Sequence, residues 1–192
     1  MMKLLCLTLF TVVCFSFSIV PSVCRVTNAA ADQGLKPSSS PFEAALVTLQ
    51  KQIGYTFEDI GLLRRAMTHS SFSEENNRAL SILGSNIIDA SVSFQSLRKN
   101  IEMSPKDLTR RIAEISKVES SCAVDGTRLG LQKIIRVSSK TDPTNPSIIC
   151  GALRAIFGAA AIDKGECDGA GALFWKVHVG GDGEVGGAAL DL

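Results

Sequence analysis

The sequence has few of the residues that mark a zinc-binding or glycosylated domain. It contains 2 histidines, with no Cys-x-x-Cys pair and no His/Cys cluster, which argues against a zinc site. It has no Asn-x-Ser/Thr acceptor, because Asn145 is followed by Pro146, so N-glycosylation gives no support for secretion. Apart from a Gly-rich end, its 6 prolines and 16 glycines follow no collagen-like or low-complexity period.

An excess of charge of one sign is also missing. There are 20 Lys+Arg and 19 Asp+Glu residues, for a net charge of +1. This excludes the strong basic excess of an electrostatic nucleic-acid binder, although it leaves room for a local basic patch. The content of 45% hydrophobic and 20% charged residues is that of a globular protein and excludes disorder over the whole length. The length of 192 residues suits one domain.

Residues 1–31 have the pattern of a secretory signal peptide. Lys3 precedes an uncharged apolar run, Leu4–Val20, which is followed by small residues. The run is near the lower length limit for a transmembrane helix, so a membrane anchor is the main alternative and organelle targeting is another. We therefore expect a protein of the secretory pathway. Cleavage would remove Lys3 and Arg25 but no acid, which changes the net charge from +1 to −1.

Three cysteines, Cys122, Cys150 and Cys167, lie beyond the leader. An oxidising compartment would permit one disulfide and leave one thiol free. Cys150 lies inside an apolar run, and we expect it to be a buried small hydrophobic residue.

The apolar spacing after the leader predicts an all-α domain over residues 42–165, between a linker at 32–41 and a Gly-rich tail at 166–192. Helix boundaries are predicted from a stop at Gly54, an N-cap at Thr56, a start at Ser104–Pro105 and a stop at Lys164–Gly165. One helix is predicted to bury a continuous stripe formed by Leu80, Leu83, Ile87, Ala90, Phe94 and Leu97. In the tail, Trp175 is interpreted as a packing anchor.

Five segments in order resemble the ribonuclease III domain. They begin with a Gly-Tyr-x-Phe start and a Thr-His-Ser-Ser segment, and they continue through the helix that carries the family signature and two later helices. The segments are Ile53–Phe57, Ala66–Ser71, Asn77–Ile88, Leu108–Arg111 and Ile149–Lys164. The resemblance covers roughly residues 42–165 and implies the helical ribonuclease III fold.

The resemblance implies phosphodiester hydrolysis by Mg²⁺ ions that are held on carboxylates. The family places two acids on the signature helix and two on the last helix. In this chain these positions hold Ser81, Ser85, Gly151 and Arg154, and the glutamate that opens the signature is Arg78. We therefore predict that the fold is kept, that the metal site is lost, and that no catalytic residue remains.

Neighbouring residues offer little to rebuild the site. Asp89 lies one turn beyond Ser85 and is interpreted as a solvated helix acid. His69 is interpreted as a structural histidine at a helix end.

Three functions remain open for such a chain. The first is a non-catalytic, double-stranded-RNA-binding homodimer, with Arg78, Arg154, Arg110 and Arg111 as candidate RNA contacts. It would act without a dedicated double-stranded-RNA-binding domain, because too few residues follow Gly165. The second is a scaffold of the secretory pathway that binds a protein partner, and the third is an active endonuclease. The dimer is expected because Ile82, Ile87 and Ile88 keep one side of the signature helix apolar.

Overall fold

Helices form nearly all of the regular structure in residues 40–180, the part of the chain that the computed structural model describes. In order, the α-helices are α1 (Pro41–Ile53), α2 (Ile60–Ala66), α3 (Arg78–Lys99), α4 (Pro105–Ile115), α5 (Ala123–Arg128), α6 (Pro146–Lys164) and α7 (Asp168–Val179). A π-turn, Val118–Cys122, precedes α5, and a 3₁₀ turn, Leu131–Lys133, follows it. The all-α prediction is confirmed. The predicted leader, most of the linker and residues 181–192 lie outside the described residues.

Local capping signals set most of the helix ends. Ser104 caps α4 by accepting a hydrogen bond from the amide of Asp107, and Pro105 occupies the first helical position, as predicted. Gly54 ends α1 at φ 66° and Gly165 ends α6 at φ 73°, both in the left-handed region that favours glycine. The N-cap predicted at Thr56 is wrong. Asp59 caps α2 instead, through the amide of Gly61.

The two longest helices, α3 and α6, cross with their backbones almost in contact. A Cβ placed on Gly84 would overlap the carbonyl oxygen of Arg154, and one placed on Gly158 would overlap the carbonyl oxygen of Leu80. Side chains at residues 84 and 158 would separate the helices, so this pair of glycines fixes the crossing point. It also brings the first turns of α3 and α6 side by side.

Helix α6 is the central element of the core. Its fully buried residues include Leu153, Ile156 and Phe157, and α1, α2, α3 and α7 contribute the apolar side chains around it. Among the described residues, α6 is the one helix that is long and apolar enough to span a membrane, but most of it is buried inside the protein. Its composition therefore reflects a core helix.

Helix α3 buries a different stripe from the predicted one. Leu80, Gly84, Ile87, Ile88 and Val92 face the core, whereas Ala90 is exposed and Phe94 is 64% exposed. The predicted stripe is wrong over its second half, because α6 packs against the neighbouring face of α3. The dimer surface was predicted from Ile82, Ile87 and Ile88. Ile87 and Ile88 are core residues, whereas Ile82 is 67% exposed, so Ile82 alone of the three lies on the surface.

The predicted tail contains a packed helix, so the helical body does not end at residue 165. Helix α7 buries Leu173, Phe174 and Val177 against the core. Phe174 meets Phe157 of α6 edge-to-face at 5.6 Å, and Trp175 donates its indole N–H to the hydroxyl of Ser91 at 2.9 Å. Glycines at residues 169 and 171 weaken the helical signal in the sequence, but burial of the aromatic residues stabilises the helix.

A disulfide joins Cys122 to Cys150, with the two Cα atoms 5.2 Å apart. Cys167 is exposed and has a free thiol. Cys150 is buried, as expected, but it is one half of a cystine rather than an isolated small hydrophobic residue. The bond links the end of the π-turn to the first half of α6.

Candidate functional site

An open groove of about 610 Å³ lies where the first turns of α3 and α6 meet. Its wall contains Arg78, Ser81 and Gly151, three of the positions that the ribonuclease III resemblance singles out. None of the described residues that line it is acidic. The full lining is His69, Ser70, Asn77, Arg78, Ser81, Ile82, Ser147, Ile148 and Gly151.

Backbone contacts hold the Thr-His-Ser-Ser segment at the edge of this groove. The amide of His69 donates to the carbonyl of Arg136 at 2.9 Å, and the amide of Asn77 donates to the carbonyl of Thr68, also at 2.9 Å. Asn77 is 4% exposed, and its side-chain amide donates to the carbonyl of Ala66. The start of α3 is therefore fixed directly to the end of α2.

The hydrogen bonds of His69 connect its ring to the loop that follows. The amide of Ser71 donates to Nδ1 of His69 at 3.1 Å, so Nδ1 is the acceptor of that bond. Nδ1 also lies 2.9 Å from the hydroxyl of Ser71, which accepts a bond from the amide of Ser138. His69 thus orders the loop at the groove, in agreement with its interpretation as a structural histidine.

Arg136 is a structural arginine behind the same segment. Its guanidinium stacks between the rings of Phe42, at 4.4 Å, and Phe72, at 5.1 Å, and it donates to the buried hydroxyl of Thr68. Burial lowers the pKa of Arg136, and the nearby charge of Arg64 lowers it further. Sequence reasoning did not identify this contact, because residues 68 and 136 are distant along the chain.

Gly151 leaves space in the groove that a side chain can fill. A Cβ at residue 151 would lie 3.9 Å from Oγ of Ser81, which is an ordinary van der Waals separation. Unlike Gly84 and Gly158, Gly151 is therefore not required by packing. Ser81 and Gly151, which the resemblance singles out, therefore face each other across the groove, and they offer one hydroxyl and no carboxylate.

Arg154 points away from the groove and braces the end of α4. Its Nη2 donates to the backbone carbonyl of Ser116 at 2.8 Å. The hydroxyl of Ser116 donates in turn to Oδ1 of Asp89 at 2.6 Å. Asp89 is therefore a partner in a bridge between α3, α4 and α6, and the interpretation of it as a purely solvated acid is wrong. Ser116 takes part through both its backbone carbonyl and its hydroxyl, and sequence reasoning did not identify it.

The arginines predicted on α4 lie on the exposed side of that helix. Arg110 forms ion pairs with Asp107 at 2.8 Å and with Glu114 at 3.9 Å. Arg111 is exposed. Among the described residues, no group of three or more His, Cys, Asp or Glu side chains is placed to hold a metal ion.

Comparison with known proteins agrees with the geometry. A family model described as Ribonuclease-III-like matches residues 59–173, a range that includes both helices of the groove. The chain belongs to the ribonuclease III-like family. The range also extends into α7, in agreement with a helical body that continues past residue 165.

Relatives of this ribonuclease III-like protein occur in plants and bacteria. The Arabidopsis thaliana protein NUCLEAR FUSION DEFECTIVE 2 is 59% identical over 164 residues, which cover 85% of each chain. Ribonuclease 3 of Delftia acidovorans is 32% identical over 128 residues, or 65% of this chain and 56% of the bacterial one. The chain spans about half the length of the bacterial relatives it matches.

Solved nuclease domains share the fold. One structure of the ribonuclease III nuclease domain from Campylobacter jejuni superposes with a TM-score of 0.66 and 27% identity, covering 73% of this chain and 97% of that domain. A second structure of this domain has a TM-score of 0.64 and 29% identity, covers 67% of this chain and 92% of its own, and is described as flexible in a region involved in dimer formation.

Proposed function

We propose that this ribonuclease III-like protein is a non-catalytic, double-stranded-RNA-binding homodimer that assists RNA processing. One observation carries the proposal. The crossing of α3 and α6 brings together the positions at which the family resemblance implies carboxylates, and these positions hold Ser81, Ser85, Gly151 and Arg154.

The donor set of this face does not fit Mg²⁺. The ion prefers carboxylate oxygens and water in octahedral geometry, whereas the groove offers hydroxyl, amide and imidazole groups and the permanent cation of Arg78. A guanidinium about 5 Å from a divalent ion repels it by roughly 6–7 kcal/mol before screening, at an effective dielectric of about 20. Arg78, which lines the groove, cannot lose its charge by deprotonation, so we assign no hydrolytic step to the site.

The same substitutions favour phosphate. Arg78 is exposed and lines the groove, so it is the first candidate for a contact to an RNA backbone. Of the other three candidates, Arg111 on α4 is exposed. Arg110 already forms two ion pairs, and Arg154 already donates to the carbonyl of Ser116. Few unpaired arginines at these positions and a small net charge predict weak binding, which rising salt weakens further with a shallow slope.

A gel assay with RNA tests both halves of the proposal. The purified protein is incubated with a labelled 30-base-pair RNA and Mg²⁺ or Mn²⁺, and binding and cleavage are read together. The matched variant restores the acids as Ser81→Glu, Ser85→Asp, Gly151→Asp and Arg154→Glu. We expect a shift without cleavage for the natural protein, and metal-dependent cleavage for the restored variant.

Other results would select the alternatives. Cleavage by the natural protein, lost with the metal, would identify an active endonuclease with a rebuilt site. Absence of both shift and cleavage would remove the RNA-binding function.

The homodimer is proposed from an apolar face of α3 that no described residue covers. Phe94 is 64% exposed and Ala90 is exposed, and these residues lie on the helix side turned away from α6. A second copy would bury this face. The Campylobacter jejuni nuclease domain, whose description mentions dimer formation, supports a dimer here.

A scaffold in the secretory pathway is the second candidate. The Cys122–Cys150 disulfide favours it, because disulfides persist in oxidising compartments. Capture of a protein partner by a chain that binds no RNA would establish this candidate.

The name of the Arabidopsis relative refers to nuclear fusion, and we extend a role in nuclear fusion to this chain as part of the proposal.

A further inference from the structure

The segment from Ser116 to Cys122, which connects α4 to α5, is attached to one face of α6 at both its ends. At its start the carbonyl of Ser116 accepts the hydrogen bond from Arg154 at 2.8 Å. At its end Cys122 is covalently bonded to Cys150. Residues 150 and 154 are four apart in α6 and lie on the same side, one turn from each other. The two attachments therefore act on the same short segment.

The backbone between the two attachments is a π-turn, Val118–Cys122. The amide of Cys122 donates to the carbonyl of Lys117 at 3.0 Å, and the turn runs directly into α5. A π-turn is less favourable than α-helix and persists where the surroundings hold it. Cys122 is its last residue, so the bond to α6 fixes the turn. Without that bond we expect the turn to adopt α-helical register and to displace the preceding backbone and the carbonyl of Ser116.

We propose that Cys122 and Cys150 form a redox-controlled lock on Arg154. In the disulfide form the guanidinium is held on Ser116. In the dithiol form the turn relaxes and Arg154 is released at the crossing of α3 and α6, where it adds a cation to the face that carries Ser85. The consequence for RNA affinity rests on the proposed function, whereas the release of Arg154 does not.

Unlocking consumes a dithiol reductant. The Cys122–Cys150 bond breaks, each sulfur gains one hydrogen, and the two sulfurs of the reductant form a new disulfide. Cys122 is 5% exposed and Cys150 is 1% exposed, so the reductant needs a local opening. Glu119 and Ser120 in the same turn are exposed, and an exposed segment opens at low cost.

Arginine labelling tests the lock directly. The full chain carrying Cys167→Ser, which removes the exposed free thiol, is treated with phenylglyoxal before and after reduction by dithiothreitol. The labelling rate at each arginine is then read by peptide mass spectrometry. Arg98, exposed in the last turn of α3, is the control. A Cys122→Ala/Cys150→Ala variant reproduces the unlocked form without reductant, and a thermal melt of each sample reports whether it is folded.

We expect Arg154 to react on the order of fivefold faster in the reduced chain and in the double variant, while Arg98 is unchanged and the melt stays cooperative. Equal rates at Arg154 in all samples would overturn the lock. Loss of the cooperative melt on reduction would also overturn it, and would make the disulfide a requirement of the whole fold.

RNA binding by the same samples separates the lock from the proposed function. If Arg154 is released and RNA affinity rises about fivefold, as expected for one added contact between arginine and phosphate, the lock and the RNA-binding function are both supported. If Arg154 is released and no sample binds RNA, the lock stands and the RNA-binding function fails. If RNA binds equally to all samples and Arg154 labelling is unchanged, the function stands and the lock fails.

Discussion

Gly84 of α3 lies against the backbone carbonyl of Arg154 in α6, so closely that a Cβ at residue 84 would overlap it. Arg154 therefore serves two contacts, because its side chain bonds to Ser116 and its backbone carbonyl lies against α3. The relative position of the two helices is set by this contact, and the residues of the groove take their positions from it.

Replacement of Gly84 by alanine should therefore be severe. Gly84→Ala requires the helices to separate, and we expect a loss of about 3 kcal/mol in the free energy of unfolding. Gly151→Ala is the matched control, because its Cβ has room beside Ser81 and alanine favours a helix by up to about 1 kcal/mol over glycine. Urea denaturation measures both. Equal destabilisation by the two variants would contradict the role given to the crossing.

Removal of the Arg154 guanidinium should destabilise the protein modestly. Arg154→Met keeps the apolar stem but leaves the carbonyl of Ser116 without its donor, which costs about 1–2 kcal/mol. Arg111→Met on the exposed side of α4 should change the free energy of unfolding by less than about 0.5 kcal/mol. A smaller loss for Arg154→Met than for Arg111→Met would show that the brace contributes nothing.

Stability should fall at acidic pH through Asp163. Burial opposes ionisation of its carboxyl group, but the amides of Asp59 and Glu58 and the hydroxyl of Tyr55 donate to it, and together they hold the pKa of Asp163 below its usual 3.8. A lowered pKa in the folded state adds stability that is present above pH 3.8 and is lost as the pH falls through the folded value. In thermal melts recorded across pH, the Asp163→Asn variant should lose less stability than the natural protein as the pH falls below 3.8.

Tyr55 should produce the opposite dependence at alkaline pH. Burial raises the pKa of its hydroxyl above the ordinary 10.0, and the bond to Asp163 raises it further. A raised pKa in the folded state gives stability that is complete below pH 10 and is lost as the pH rises beyond it. Tyr55→Phe should remove this loss. If Tyr55→Phe loses as much stability at alkaline pH as the natural protein, other groups cause the loss.

The proposed homodimer should depend on Phe94. Phe94→Asp places a charge on the uncovered apolar face of α3, and we expect a monomeric mass in light scattering at micromolar concentration where the natural protein has a dimeric mass. Val47→Asp is the control, since Val47 on α1 is also half-exposed. A monomeric mass for the natural protein would remove the homodimer from the proposal.

Local signals in the sequence predicted helix ends better than helix faces. Ser104–Pro105, Gly54 and Gly165 act within one turn of the chain, so their effect could be predicted without knowledge of the fold. The buried face of α3 could not be predicted in this way, because that helix has two apolar stripes with the same period. Only the position of α6 decides which stripe is buried. Helix α7 was not predicted because its glycines weaken the helical signal in the sequence. The packing of Phe174 against the core, which stabilises this helix, depends on the fold.

The groove residues were predictable as positions, but their roles were not. The ribonuclease III resemblance singled out Ser81 and Gly151 as site positions, and the structure places both in the wall of the groove. The partner of Arg154 is a backbone carbonyl, which carries no signature in the sequence. The contact between Arg136 and Thr68 joins residues that only the fold brings together.

The disulfide also closes a ring of polypeptide, since its cysteines are 28 residues apart. In the chain-entropy description, a ring of this size restricts the unfolded chain by about 3–4 kcal/mol. The ring contains a bend at residues 140–142, in which Lys140 and Asp142 are exposed, a suitable point for a protease. A single cut there would leave two pieces joined through sulfur, so the nicked protein would travel as one band on a non-reducing gel and as two after reduction.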